Sequence, residues 1–319
     1  MAVKRLRDPL SRFQLNLLAE TLRPHLPTCR LPDFSVTTSR VQAQVPPAWH
    51  FVYFPSVYDE RALFSDGYDP VLVPGNNLLN GSSRRRWRGG QITFNAPLIT
   101  DLPATCTVTE SVNIQGTGID LDTGFEHIDE STFRVMSNDE STESLAAVVE
   151  ERHLLYLPQA KGLEEIPTRS VRTVYKSAAI ETSLVPSRVL VFRFSALTFN
   201  AHRIHYDPLY ATAFEGLPDV ILQGALSLTL LLSWIQFDEN VSRALQLSAP
   251  LKILSVQYSC VHHILVDREI VLRVAPLARA PGRFRAWIEQ DGGVCLKGTV
   301  KADIQNTSRD ASHDQSHMI

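Results

Sequence analysis

The longest apolar run in the chain is VILQGALSLTLLLSWI, residues 220–235. It is shorter than the roughly 20 apolar residues that a membrane-spanning helix needs. Four polar residues also interrupt it: Gln223, Ser227, Thr229 and Ser233. We therefore predict a long helix from Ile221 onward that is buried in the protein core, and we expect no membrane partner.

Working outward from this run, the sequence predicts strands on both sides of it. Val189–Phe194 is a compact apolar segment that predicts a strand before the helix. Four strand-like segments follow the helix: Leu251–Cys260, Ile270–Val274, Arg283–Glu289 and Val294–Lys301. One long helix followed by a run of antiparallel strands is typical of the α+β class, with the helix packed on a sheet.

The first half of the chain repeats this theme. Phe13, Leu17, Leu18 and Leu22 have helical spacing, which predicts a helix over Ser11–Leu22. Four strand-like segments come after it: Gly90–Phe94, Cys106–Ile114, Thr132–Val135 and His153–Leu157. A polar, acidic stretch at residues 136–147 is typical of a loop between two of them.

A proline-bounded segment at residues 158–170 has little apolar content and is predicted to be a linker. It would divide the chain into a first half, residues 1–157, and a second half, residues 171–305. The remaining residues, 306–319, are rich in Ser, Asp and His and are predicted to be disordered.

Composition excludes several classes of protein. With 44% apolar and 20% charged residues among 319, the chain is not wholly disordered. Its net charge of −3 lacks the positive excess of a dedicated nucleic-acid binder, so no nucleic-acid partner is expected. Four scattered cysteines form no CxxC pair, which indicates a reducing compartment and no structural zinc. The basic start, residues 1–7, has no apolar signal-peptide core, which leaves mitochondria and cytoplasm open.

Polar groups that suit proton transfer are densest at residues 200–207. Asn200, His202 and His205 offer an amide and two bases within six residues, and histidine transfers protons near neutral pH. The alternative is that both imidazoles only bind loop carbonyls. No carboxylate pair or cysteine completes a tetrahedral metal set, and no Gly-rich phosphate loop occurs, so neither a metal nor a cofactor is expected.

A basic run, Arg84-Arg85-Arg86-Trp87-Arg88, stands out in this acidic chain. Arginine binds phosphate through a planar fork, and tryptophan stacks on planar rings. The run therefore predicts an anion-binding site, against the alternative of a solvated loop.

These stretches carry a family resemblance. The segment FRFSALTFNAHRIHYD, residues 192–207, is similar to the signature of the MaoC-like hydroxyacyl-thioester dehydratases, with EGLP at 215–218 and QGAL at 223–226 following it. It most resembles the fungal and mitochondrial branch and the mesaconyl-CoA hydratases. Further matches lie upstream: PAWH at 47–50, RRRWRGG at 84–90 and EERH at 150–153. The resemblance covers most of residues 40 to 300.

The resemblance implies a double hot-dog fold, in which each half is an antiparallel sheet wrapped around a helix. It places the acyl-thioester site between a degenerate, substrate-binding first half and a catalytic second half. In the wider family the motif reads Asp-x-Asn-Pro-x-His. On this chain the final His is His205, Asn200 replaces the Asp, and His202 replaces the Asn. An amide cannot accept a proton as a carboxylate does, so a mechanism with two bases does not fit.

The resemblance also implies a role for each residue. His205 would move the proton, Asn200 would hold the water or departing hydroxyl, and His202 would share the acid role or orient the loop. The backbone N–H at Gly224, at the head of the long helix, would polarise the thioester carbonyl. Four residues of the basic run would bind the nucleotide end of coenzyme A: Arg84, Arg85, Arg86 and Trp87.

The function expected from the resemblance is a hydro-lyase that adds or removes water across the α,β bond of an acyl thioester. The carrier would be coenzyme A or an acyl carrier protein, in fatty-acid or specialised fungal metabolism. The chain would act as a monomeric pseudo-dimer or a homodimer. Two alternatives stay open: a non-catalytic acyl-binding protein, and a thioesterase or isomerase on the same fold. A thioesterase would need a carboxylate at the central helix, where Asp219 is the candidate.

Overall fold

A computed structural model describes residues 3–35, 42–69, 83–111, 117–119, 126–138, 146–158, 177–247 and 250–304. The strands in this part of the chain are β1 Val3–Asp8, β2 Ser83–Phe94, β3 Ala104–Ser111, β4 Thr117–Ile119, β5 Glu126–Ser137, β6 Val148–Pro158, β7 Ile180–Leu184, β8 Ile253–Cys260, β9 Ile270–Pro276, β10 Arg283–Gln290 and β11 Gly293–Ala302. The α-helices are α1 Arg12–Leu22, α2 Arg188–Leu197, α3 Pro208–Ala213, α4 Gly224–Phe237 and α5 Glu239–Leu245.

The strands form one antiparallel sheet in the order β1-β3-β5-β6-β2-β8-β11-β10-β9-β7, with β4 paired to β5. The order has an internal symmetry. From the centre of the sheet outward, the first half has the order β2-β6-β5-β3-β1 and the second half has the order β8-β11-β10-β9-β7. In each half, the second strand in sequence is central and the first strand is outermost. The fold is therefore the double hot-dog of the α+β class that the resemblance implied.

The two halves meet where β2 pairs with β8, with Gly89 opposite Ser259. Gly89 has φ +139°, and a Cβ there would lie 2.2 Å from the carbonyl oxygen of Tyr258. Only glycine allows the two backbones to approach this closely. A bulge between Trp87 and Gly89 in the pairing with β6 makes Arg88 the extra residue.

Helix α4 is the centre of the core, as the apolar run predicted. All residues from Ala225 to Ile235 are buried, because the sheet and the segment around Trp49 enclose the helix. Its polar side chains are satisfied internally: Trp49 Nε1 donates to Ser233 Oγ at 2.8 Å, and Thr229 Oγ1 donates to the Ala225 carbonyl at 2.8 Å. In the described part of the first half, the stretch between α1 and β2 holds only short 3₁₀ turns, one of them Trp49–Val52.

The prediction of a strand at Val189–Phe194 is wrong, because this segment forms most of α2. Ser187 caps the helix by accepting the N–H of Leu190 at 3.1 Å. Its buried residues, Leu190, Val191, Phe194 and Ser195, have helical spacing. Val189 and Phe192, by contrast, are 60% and 65% exposed. A short apolar run in a sequence does not distinguish a helix from a strand. Here the packing of one side of the segment against the core decides between them.

The other predicted elements are present with shifted ends. The helix over Ser11–Leu22 is α1, with Ser11 as its N-cap. The eight remaining predicted strands fall within or across β2, β3, β5, β6, β8, β9, β10 and β11. The outer strands β1 and β7 were not predicted. The linker beyond residue 158 and the tail at 306–319 lie outside the described residues. No helix in the described ranges is long and apolar enough to cross a membrane.

Candidate active site

A cavity of about 930 Å³ lies between the halves and is lined by both. The second half contributes Asn200, His202, His205 and Gly224, which the sequence singled out as the catalytic group. From the first half, the predicted anion-binding residues Arg85, Arg86 and Trp87 also line it. The side chain of Arg84 lies outside the described part of the chain. The structure thus brings two segments together that are more than a hundred residues apart in sequence.

His205 ends a short 3₁₀ helix, Arg203–His205, and is buried. Its Nδ1 lies 2.8 Å from the carbonyl oxygen of Ile221. A carbonyl only accepts, so Nδ1 carries the proton and Nε2 keeps a lone pair. Burial lowers the pKa of His205 to about 4, although the hydrogen bond to Ile221 opposes this shift. His205 is therefore a neutral base at neutral pH.

The side-chain amide of Asn200 already uses its oxygen in a hydrogen bond. Its Oδ1 accepts the backbone N–H of His202 at 3.0 Å, which closes a local turn. Because Oδ1 is engaged, the NH₂ group is the part of this amide that is suited to a ligand in the cavity. An NH₂ group donates hydrogen bonds, so Asn200 suits the oxygen of a water or hydroxyl.

The rings of His202 and His205 lie edge to face, with 5.6 Å between their centres. Nε2 of His202 is 3.6 Å from Oδ2 of Asp66, a residue of the first half. Burial, together with His205 and Arg85, lowers the pKa of His202 well below its usual value. The His202 imidazole is buried, neutral and close to Asp66. This environment favours the predicted role of orienting the loop.

Asp66 is a site residue that the sequence analysis missed. Its Oδ2 accepts from Arg85 Nη2 at 2.9 Å, and its backbone carbonyl accepts the N–H of Arg203 at 2.8 Å. Next to it, Gly67 has φ +81°, and a Cβ there would lie 2.0 Å from the carbonyl oxygen of Ala201. The Asp-Gly pair at 66–67 is a turn signal, but nothing in it points to residues 201–203.

That Arg85 binds a substrate anion stays a prediction, because Arg85 lines the cavity but already forms an ion pair. Its side chain is buried in the ion pair with Asp66, and its guanidinium lies 3.8 Å from the centre of the Tyr68 ring. Asp66 thus engages Nη2 of Arg85, whereas Nε is buried without a hydrogen-bond partner. Trp87 is also engaged, because Nε1 donates to Tyr258 Oη at 3.0 Å. Arg86 lines the cavity and is partly exposed.

Gly224 begins α4 at the wall of the cavity. Its N-cap, Gln223, makes no side-chain hydrogen bond to the helix start. Instead, the Gln223 amide donates to Ser195 Oγ at 2.8 Å and to the Val191 carbonyl at 3.0 Å. The first N–H groups of a helix have no partner inside it, so this helix start suits an oxygen that gains negative charge.

The thioesterase alternative has no support from Asp219. Its carboxylate accepts from Arg188 at 2.6 Å near the surface, and it is absent from the cavity lining. Among the described residues, no group of three or more His, Cys, Asp and Glu side chains is arranged to hold a metal ion.

Comparison with known proteins relates the chain to a family of dehydratases. The family model for hydroxyacyl-thioester dehydratase type 2 matches residues 48–266. The chain is 27% identical over 253 residues to the mitochondrial hydroxyacyl-thioester dehydratase type 2 of Schizosaccharomyces pombe, covering 75% of this chain and 82% of that protein. It is 30% identical over 195 residues to the mesaconyl-C(4)-CoA hydratase of Chloroflexus aurantiacus, covering 59% of this chain and 63% of that protein.

A solved structure shows the same fold. The MaoC-like dehydratase from Phytophthora capsici superposes with a TM-score of 0.63 at 13% identity, covering 97% of this chain and 96% of that one. The match of the family model over more than half of the chain places this protein in the hydroxyacyl-thioester dehydratase type 2 family.

Proposed function

We propose that this protein catalyses the reversible loss or addition of water across the α,β bond of an acyl thioester. The observation that carries the proposal is the fixed tautomer of His205, set by the Ile221 carbonyl. It leaves Nε2 as a base in the cavity that also holds the Asn200 amide and the start of α4.

In the dehydration direction, we propose that the 3-hydroxyacyl thioester binds with its carbonyl oxygen at the N–H of Gly224. His205 Nε2 takes the α-proton, and the developing enolate is stabilised by the helix start. The β-hydroxyl, held by the NH₂ of Asn200, then leaves with the proton that His205 has gained. The C–H and C–O bonds break, the C=C bond forms, and water departs. His205 thus serves both proton transfers, since Asn200 cannot accept a proton, and the α-proton and the hydroxyl leave from the same face of the substrate.

The two halves have different roles in this proposal. Residues 171–305 supply the chemistry, and residues 1–157 bind the acyl chain and its carrier. Arg86 lines the cavity and is partly exposed, and in this proposal it binds a carrier phosphate. The carrier is coenzyme A or an acyl carrier protein. We also propose that the protein acts in mitochondria and that a single chain acts as a pseudo-dimer. The mitochondrial location in the name of the S. pombe relative supports the proposed location.

The test is an assay with crotonyl-CoA and 3-hydroxybutyryl-CoA that follows enoyl absorbance and thiol release separately. We expect water addition without thiol release. His205→Ala should lower kcat by about 10²–10⁴-fold, because the acid–base group is lost. Asn200→Ala should cost less, because it removes only a positioning amide.

His153→Ala provides the matched control, because this histidine is exposed in β6 and does not line the cavity. It should keep full activity, and thermal unfolding should show that all variants fold. Activity of His205→Ala within a few-fold of the wild type would refute the assignment. Thiol release in place of hydration would favour a thioesterase.

A further inference from the structure

We infer that the first half of the cavity holds a binding site for an anionic group on the acyl chain, with Arg152 as its ligand. The inference rests on the proposed function and narrows its substrate class to acyl thioesters that carry a second carboxylate. It starts from a buried group of charges in β5 and β6, which we call the Glu150 cluster: Arg134, Glu150 and Arg152.

Glu150 orients the guanidinium of Arg152. The carboxylate is fully buried, and Arg152 donates to both of its oxygens, from Nε to Oε1 and, at 2.9 Å, from Nη2 to Oε2. Such a two-point contact fixes the plane of the guanidinium. It engages Nε and Nη2, and it does not use the Nη1 edge of the guanidinium.

Arg152 also lies on two aromatic rings of the cavity wall. Its Cζ is 4.8 Å from the centre of the Trp87 ring and 5.5 Å from that of Phe51. All three residues line the cavity. The cation is thus displayed on an aromatic surface, where water competes less for it than at the protein exterior.

The Glu150 cluster has more positive than negative charge. Arg134 stands directly opposite Glu150 in the pairing of β5 and β6, and its Nε is buried without a hydrogen-bond partner. Burial alone would raise the pKa of Glu150, but Arg152, His50 and Arg134 hold it well below its ordinary value, so it is ionised. Burial lowers the pKa of His50, which stays neutral. Two guanidinium groups therefore face one carboxylate, and a partly desolvated surplus cation favours an anionic ligand.

The position of the cluster relative to the proposed chemistry points to the acyl chain. A Cβ on Gly224 would lie 3.4 Å from Trp87 Cβ, and the Arg152 guanidinium lies over the ring of the same tryptophan, so both residues are close to Trp87. An acyl group held by its carbonyl at Gly224 therefore lies in the same part of the cavity as this arginine. A purely hydrocarbon tail there would meet a charge, whereas a carboxylate matches the guanidinium edge that Glu150 does not use.

Two matched pairs of ligands test this site. Glutaconyl-CoA is crotonyl-CoA with a carboxylate on its methyl group, and it reports on turnover. Glutaryl-CoA and butyryl-CoA differ in the same way but have no double bond to hydrate, so calorimetric binding of this pair tests the site even if the proposed reaction fails. We expect the wild type to bind glutaryl-CoA at least about tenfold more tightly than butyryl-CoA.

Two variants distinguish an effect of the Arg152 charge on binding from an effect on folding. Glu150→Gln keeps the Arg152 charge, and Glu150→Gln with Arg152→Met removes it without leaving a buried carboxylate unpaired. We expect Glu150→Gln to keep the preference for the carboxylate. The double variant should lose it, with about tenfold or more weaker binding of glutaryl-CoA and an unchanged Kd for butyryl-CoA. Thermal unfolding of both variants checks that they fold.

Three results would overturn the inference. The wild type could bind glutaryl-CoA and butyryl-CoA alike, or the double variant could keep the preference. The double variant could also weaken both ligands equally. In that last case, N-acetylcysteamine thioesters of the two acyl groups, which lack the phosphates of coenzyme A, assign the arginine. If the double variant weakens binding only of the coenzyme A thioesters, Arg152 binds a phosphate of the carrier. If it weakens binding of both kinds of thioester, Arg152 has a structural role.

Discussion

His205 holds its proton on Nδ1 because that nitrogen lies 2.8 Å from the carbonyl oxygen of Ile221. Burial then disfavours a second proton on Nε2 and lowers the pKa to about 4. At the residue scale, the contact with Ile221 decides which nitrogen carries the proton, and burial keeps the other nitrogen unprotonated throughout the physiological range.

The acid limb of the pH profile follows from that shift. The base acts only when it is neutral, and a lowered pKa keeps it neutral to lower pH. We expect kcat/KM to hold its plateau well below the usual histidine pKa of about 6.5 and to fall with a midpoint near 4. Steady-state rates at each pH, with circular dichroism to confirm folding, measure this. A midpoint near 6.5 would mean that His205 is exposed to solvent during the reaction.

At the scale of elements, two loops from different halves support each other. The turn at Asp66 and Gly67 lies against the stretch from Ala201 to Arg203, with Asp66 near His202 and its carbonyl bonded to the Arg203 N–H. The contact is tight because Gly67 has no side chain: a Cβ would lie 2.0 Å from the Ala201 carbonyl oxygen. The stretch of the second half for which we propose a catalytic role is thus positioned by the first half.

Gly67→Ala tests this contact, with Gly292→Ala as its control. Both glycines have similar positive φ, +81° and +78°, but a Cβ at Gly292 would meet nothing within 4 Å. Both variants incur the backbone strain of about 1 kcal/mol. We expect Gly67→Ala to cost more than the control in urea unfolding and, in addition, to lower kcat. Equal losses in both variants would show that the contact between the loops does not matter.

At the scale of the whole molecule, neutral imidazoles are buried in both halves. His50 lies in the first half, and His202 and His205 lie in the second. Burial lowers the pKa of each below the ordinary value, most strongly for the two in the second half. Folding therefore requires three histidines to stay unprotonated where the unfolded chain would take up protons.

Stability should fall as the pH drops below about 6.5, because the unfolded state then binds protons that the native state excludes. The loss approaches about 1.4 kcal/mol per pH unit for each histidine, and it continues until the pH reaches the lowered native pKa. Urea unfolding between about pH 7.5 and about pH 5 measures the slope. His50→Gln should reduce the slope, and the exposed His153→Gln should leave it unchanged. A flat curve would contradict the burial of neutral histidines.

The sequence by itself determined the central helix, most strands and the cluster of Asn200, His202 and His205. Helix α4 was predictable because its apolar run is too long for a strand and strand-like segments follow it. The cluster of Asn200, His202 and His205 was predictable because its members lie within six residues and match a family pattern. Such features depend on neighbours along the chain, so local patterns contain them.

Only the tertiary structure decided the remaining features. The α2 segment reads equally well as a strand, and its helix depends on which side chains the core covers. Asp66 pairs with Arg85 and approaches His202, a contact between residues 136 positions apart that leaves no local signal. The tautomer of His205 depends on Ile221, and the orientation of Arg152 depends on the buried carboxylate of Glu150 and on two aromatic rings. Charges and hydrogen bonds of this kind take their strength from burial, which exists only once the halves have packed together.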